Sequence, residues 1–137
     1  LKKLGIDTAM INKAFQNDVD TYVAIADVIR NCEIVFGNIA IAICPNTIDN
    51  PIQLTGQSAD ELLNLNAIDT SFVLCETGGK VYISGRSNGK INVQVILEKL
   101  GGGGHMLMAG AQIQGMSIEE VKKMLIQSIE ETLKEKE

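Results

Sequence analysis

Four consecutive glycines, Gly101 to Gly104, end on the only histidine of the chain, His105. Glycine loses more conformational freedom on folding than any other residue, about 0.5–1 kcal/mol relative to alanine inside a helix or strand. A run of four therefore belongs at a break between elements and needs a reason to be there. One glycine has a local reason. A helix ending at Leu100 takes Gly101 at C′, where positive φ is common. The other three, Gly102, Gly103 and Gly104, strip the side chains from a stretch of backbone. Successive N–H groups in such a stretch can cradle an anion, and His105 adds a titratable group beside them. A flexible linker is the competing reading, but apolar residues flank the run on both sides, Leu97 and Leu100 before it and Met106-Leu107-Met108 after it.

Known glycine motifs do not match. A Walker loop requires Lys-Ser or Lys-Thr after its last glycine, where His105-Met106 stands. The dinucleotide fingerprint opens a helix after a strand, whereas this run follows a helix.

The chain has 137 residues, of which 45% are hydrophobic, enough for one domain with its own core. No apolar run reaches the length of a bilayer-spanning helix, and no signal peptide is visible. The chain opens on Leu1-Lys2-Lys3-Leu4 without an initiator Met and reads as a piece of something longer. Cys32, Cys44 and Cys75 are odd in number and widely spaced. With no CxxC pair and one histidine they make no zinc site, and they read as buried reduced thiols of a cytoplasmic protein. The net charge of −5 argues against wrapping long nucleic acid. Residues 80–105 nevertheless carry Lys80, Arg86, Lys90 and Lys99 against Glu98 alone. Such a basic island in an acidic chain suits a small anionic ligand.

Local signals place the elements. Asp7 is a cap for a short helix toward Phe15. A second helix starts near Asn17 or Asp18 with Val19, Tyr22, Val23, Ala26 and Ile29 at helical spacing. Glu33–Phe36 and Asn38–Cys44 read as a hairpin turning at Gly37-Asn38, followed by a polar loop from Pro45 to Pro51. Ser58-Ala59-Asp60-Glu61 has the form of a capping box opening a helix. Ser71–Glu76 and Val81–Ser84 are strands joined at Gly78-Gly79. Asn92 is an N-cap for a helix burying Val93, Ile96, Leu97 and Leu100. Ala109–Gln114 is a strand. Ser117 to Glu120 is a second capping box, with Met116 and Val121 as its hydrophobic staple. Ile118, Val121, Leu125, Ile129 and Leu133 are the inward face of the last helix. Interspersed helices and strands predict an α/β fold, a mixed β-sheet flanked by helices in a single domain.

A second constellation closes a strand: Ser84-Gly85-Arg86-Ser87. Arg86 offers a planar fork of donors for a phosphate, and Ser84 and Ser87 offer hydroxyls. No acid-rich metal cluster accompanies either group. The residues alone describe a phosphate- or nucleotide-binding half without its own chemical engine.

Ser84 to Ser87, Gly89-Lys90-Ile91-Asn92-Val93-Gln94, Gly101 to His105 and Ala109-Gly110-Ala111 together resemble the DHH-associated domain of DHH-family phosphoesterases. The Ile91-Asn92-Val93-Gln94 form is most similar to that of membrane-anchored cyclic-di-AMP phosphodiesterases of Gram-positive bacteria. The resemblance implies a division of the chain. Residues 1–16 would be a linker or helix following a catalytic DHH domain, and 17–137 the substrate-binding domain. It implies Ser84, Arg86, Ser87, Asn92, Gly102, Gly103, Gly104 and His105 as substrate-binding residues, with Arg86 and His105 on phosphate. It implies hydrolysis of cyclic di-AMP to a linear dinucleotide by a metal-activated water, with two manganese ions held in the DHH domain of the parent. This chain has no Asp-His-His motif, so it is expected to hold neither a metal nor catalytic residues of its own.

The implied partners are a cyclic dinucleotide or short oligonucleotide and the DHH domain of the same parent. A homodimer stays open. No membrane contact is expected of these residues, which would lie on the cytoplasmic side of an anchored parent. Two alternatives stand beside this reading. One is an oligoribonuclease, adenosine-bisphosphate phosphatase or RecJ-like exonuclease. The other is a non-catalytic nucleotide-binding module, as in domains appended to alanyl-tRNA synthetases.

Overall fold

Strand alternation, read through to tertiary structure, organises the molecule around one sheet. The computed structural model describes residues 8–45 and 50–136. Its elements run α1 (Thr8–Arg30), β1 (Glu33–Val35), β2 (Ile39–Ile43), α2 (Pro51–Leu63), β3 (Thr70–Thr77), β4 (Lys80–Ser87), α3 (Val93–Glu98), β5 (Gly103–His105), β6 (Met108–Gln114) and α4 (Ile118–Glu135). Among the described residues the strands form a six-stranded sheet in the order β1-β2-β3-β4-β6-β5. β2 and β3 pair in parallel across the α2 crossover, and the other neighbours are antiparallel. The mixed α/β sheet expected from the sequence is the fold observed.

The two faces of the sheet carry separate cores. Ile39, Ile41, Phe72, Leu74 and Ile83 turn to one face and pack with Ile96 and Leu97 of α3 and with Val121, Leu125 and Ile129 of α4. Ala40, Ala42, Val73 and Cys75 turn to the other and pack with Ile25 and Val28 of α1 and Leu54, Ala59 and Leu62 of α2. Alternate residues thus leave the strand on opposite sides, and β2 and the Phe72–Cys75 stretch of β3 are apolar throughout because both sides are covered.

Local capping signals are realised where they involve neighbouring residues. Asn92 Oδ1 accepts from the N–H groups of Gln94 and Val95 and starts α3. Ser117 and Glu120 form the reciprocal capping box of α4. Met116 and Val121 both belong to the α4-side core.

Five expectations are corrected. The break near residue 17 is absent: α1 runs from Thr8 to Arg30, so the division after residue 16 falls inside one helix. No Gly or Pro stands there to interrupt it. The Asp7 cap lies outside the described residues. The buried face of α1 is also different. Tyr22 is 72% exposed and Val19 and Val23 are exposed, whereas Ile25 and Val28 meet the sheet. The polar loop expected to reach Pro51 ends before it, because Pro51 is the first residue of α2. Its fixed φ suits that position, where no N–H is required. Residues 46–49 of that loop lie outside the described residues. Ser58 consequently caps nothing. It sits buried inside α2, where a small residue lets the helix lie close on the sheet. Finally, β4 extends to Ser87 rather than Ser84.

Candidate functional site

On the α1–α2 side of the sheet, α2 lies over β3 and β4. Beyond β4 the same face of β6 and β5 is open. Register decides which residues share it, because residues directly opposite in an antiparallel pair point to the same side. Ser84 hydrogen-bonds Thr55 of α2 through its hydroxyl at 2.9 Å, which fixes its side of the sheet. Ser84 pairs with Gly110, and Gly110 with Gly103. The next row is Arg86, Met108 and His105. On the other flank Tyr82 pairs with Gln112. Rows on one face stand roughly 6–7 Å apart along the strands, and two strand spacings across a row are roughly 10 Å.

The middle row has almost no side chains. It floors a groove of about 460 Å3 whose walls include Ile52, Thr55, Tyr82 and Gln112. Arg86 and His105 lie one row beyond this lining. The Arg86 side chain is 14% exposed and is held from α2: its Nε donates to Asp60 Oδ1 at 2.7 Å. Nη1 donates to the Gly85 carbonyl at 3.0 Å. Among the described residues Nη2 makes no hydrogen bond, and it lies against Gly56 of α2. His105 is exposed, and its Nδ1 accepts from the Leu107 N–H in a long 3.4 Å contact. A neutral ring accepting at Nδ1 carries its proton on Nε2 and can donate it to an anion.

The glycine block divides its roles. Gly101, at φ +86, ends α3. Its N–H reaches the Glu98 carbonyl, and the Gly102 N–H reaches that of Leu97, the paired bonds of a Schellman motif. A Cβ on Gly104 would stand 2.5 Å from the Met108 carbonyl oxygen, and one on Gly102 would collide with β6 likewise. Those two glycines are required by packing. Gly101 and Gly103 have open space where a side chain would be, and of the two only Gly103 lacks the positive φ that favours glycine.

The structure therefore places Ser84, Arg86, Gly103 and His105 on one face of the sheet, Ser84 and Arg86 against α2 and Gly103 and His105 on its open part. It places Ser87 elsewhere. Ser87 is buried, and its hydroxyl accepts from the Gly89 N–H. Asn92 spends its side-chain oxygen on the α3 cap. Sequence reasoning missed Thr55, Asp60, Tyr82 and Gln112. Tyr82 and Gln112 follow from period-two alternation once the β4–β6 register is known. Thr55 and Asp60 carry no local signal.

The basic island is largely neutralised by folding. Arg86 pairs with Asp60, Lys90 with Asp69 at 3.6 Å, and Lys99 with Glu135 at 3.2 Å and Glu131 at 3.7 Å. Among the described residues no three His, Cys, Asp or Glu side chains gather where they could hold a metal ion. Nor, among the described residues, is any helix long and apolar enough to cross a membrane.

The family model of the DHHA1 domain matches residues 38–135. The chain belongs to the DHHA1 family. This is the DHH-associated domain of DHH-family phosphoesterases, as its motifs implied. The DHHA1 chain is 36% identical over 131 residues to the cyclic-di-AMP phosphodiesterase PdeA of Listeria monocytogenes, covering 95% of this chain and 20% of that protein. It is also 36% identical over 134 residues to the cyclic-di-AMP phosphodiesterase GdpP of Bacillus subtilis, covering 96% of this chain and 20% of that one. The chain thus spans about a fifth of the length of these relatives. Its fold matches the crystal structure of an exopolyphosphatase-related protein from Bacteroides fragilis with a TM-score of 0.72 at 23% identity, over 93% of this chain and 39% of that one.

Proposed function

We propose that this DHHA1 domain is the substrate-gripping part of a phosphodiesterase that opens cyclic di-AMP to a linear dinucleotide. The observation that carries the reading is the row Ser84, Gly110 and Gly103 on one sheet face, with Arg86 and His105 in the adjacent row. A floor without side chains lets a sugar–phosphate backbone lie close to the strands. Arg86 offers its guanidinium and His105 its Nε2 proton to phosphoryl oxygens, and both interactions gain strength as negative charge develops there. Tyr82, Gln112 and Ile52 bound the other part of the groove.

This chain's own work is binding and orientation. Bond cleavage belongs, in this reading, to a DHH domain of the same parent, which would close the groove from the opposite side. The net charge of −5 favours a small nucleotide over a long strand.

Two measurements test the reading. Titration of the chain with cyclic di-AMP, followed by amide chemical shifts, should move Gly103, Ser84 and His105 together. In the full-length phosphodiesterase, Arg86→Ala and His105→Ala should each lower kcat/KM on cyclic di-AMP by roughly ten- to a thousandfold, the range for losing a donor to developing charge. Unchanged turnover and affinity in both variants would refute the assignment. Faster cleavage of short linear RNA than of cyclic di-AMP would transfer the domain to an oligoribonuclease.

A further inference from the structure

Helix α2 touches Ser84 on the groove floor and Arg86 one row beyond it. Thr55 hydrogen-bonds Ser84 at 2.9 Å while its hydroxyl also donates to the Ile52 carbonyl at 2.6 Å. One turn later Asp60 holds Arg86 Nε at 2.7 Å. Between them Gly56 makes room: a Cβ there would stand 3.1 Å from Arg86 Nη2. An arginine side chain carries several rotatable bonds, and an unheld guanidinium samples many orientations at an entropic cost to binding. Asp60 is itself 57% exposed, so it contributes little to stability as an ion pair. Its consequence is directional: accepting from Nε fixes the guanidinium plane.

The geometry points to Asp60 as a positioning residue for Arg86, with Gly56 leaving the space that the fork occupies. This deepens the phosphate-gripping reading of Arg86 and rests on it. Asp60 makes no contact with ligand in this arrangement. It acts by presenting Arg86 ready-oriented, so that little freedom is lost when phosphate arrives.

The test uses the 137-residue chain, nitrogen-15 labelled, and two readouts. The first is the Arg86 Nε–Hε signal without ligand. It should be visible and slow to exchange in the wild type, retained in part in Asp60→Asn, and lost in Asp60→Ala. The second is affinity for cyclic di-AMP. Asp60→Ala should weaken it roughly tenfold, as expected for one charge-assisted hydrogen bond, and should have no further effect in an Arg86→Ala background. Gly56→Ala should weaken binding by displacing the fork while leaving the melting temperature unchanged or higher, because alanine favours the helix.

That combination separates positioning from a general structural role. An Hε signal that survives unchanged in Asp60→Ala overturns the proposal. So does an Asp60→Ala effect of equal size with and without Arg86. If instead Arg86→Ala binds cyclic di-AMP as tightly as the wild type, the gripping role of Arg86 fails, while the Hε signal still reports whether Asp60 holds it.

Discussion

Gly102 lies so close to Gly110 that a Cβ on it would stand 2.2 Å from the Gly110 carbonyl oxygen and 2.7 Å from the Ala111 Cβ. Neither obstacle is the free end of a flexible side chain. Gly102→Ala must therefore push the chain leaving α3 away from β6. The expected loss is about 1–3 kcal/mol, the usual range for overpacking, read as a lower midpoint in urea unfolding. An unchanged midpoint would mean that the strand edge gives way freely.

Gly103→Ala is the contrasting case. Nothing lies within 4 Å of its Cβ position, and the added methyl would stand on the groove floor beside Gly110. Stability should hold or rise slightly, since alanine restricts the unfolded chain. Affinity for cyclic di-AMP should fall by roughly tenfold, about 1.4 kcal/mol. Calorimetry of folding and of binding on the same sample checks both halves, and a loss of stability equal to that of Gly102→Ala would contradict the division of roles.

The cysteines should differ sharply in reactivity. Burial pushes the Cys44 thiol up to about 12, with neighbouring Cys75 adding to the shift, and burial pushes Cys75 up to about 11. Cys32 is partly exposed. At pH 8 iodoacetamide should label Cys32 in the native protein and all three in denaturant, counted by mass spectrometry. Native labelling of Cys75 at the rate of Cys32 would contradict the core packing.

Asp69 joins two loops. It accepts from Asn38 Nδ2 at 2.7 Å and Asn88 Nδ2 at 3.0 Å and faces Lys90. The Asn38 hydrogen bond, the largest effect, holds its carboxyl below the usual range; burial opposes it, and the Asn88 hydrogen bond and the Lys90 charge add to the lowering. A depressed folded value means stability that is full above the unfolded pKa and lost as pH falls through the folded one. Asp69→Ala should therefore melt below the wild type at pH 7, and the gap should narrow as pH drops below about 4. Melting curves from pH 7 to pH 2 test the sign.

Ser117→Ala should cost about 1 kcal/mol, since it leaves the Glu120 N–H at the start of α4 without its cap. Glu120 is held below the usual carboxylate range chiefly by the Ser117 backbone N–H. The reciprocal bond that Glu120 makes therefore weakens in acid, and the penalty of Glu120→Gln should shrink as pH falls below about 4. Urea unfolding at pH 7 and pH 3 measures both variants.

The readable parts of this chain were those written in short-range residues. The Asn92 cap spans three residues and the Ser117 box spans three, so a bond between near neighbours announces each helix start. The start of α2 is not legible locally, because Pro51 stands after a polar stretch while Ser58 and Glu61 imitate a box in mid-helix. The buried face of α1 is ambiguous in the sequence, because Val19, Tyr22 and Val23 keep helical spacing as well as Ile25 and Val28 do. Periodicity reveals an apolar stripe without saying which part of it meets a sheet.

The sequence by itself determined the kind of fold, the glycine block as a break with an unusual backbone, and the family through its motifs. The tertiary structure alone decided which residues share one face of the sheet. β6 inserts between β4 and β5, and that order sets Arg86, Met108 and His105 in one row. It also decided how the basic island is used. Arg86 meets Asp60 across 26 residues and Lys99 meets Glu135 across 36, so a charge excess local in sequence is largely cancelled in space. Such partners are chosen by sheet order and helix placement, which depend on burying both faces of the sheet at once, and no short stretch of sequence carries that information.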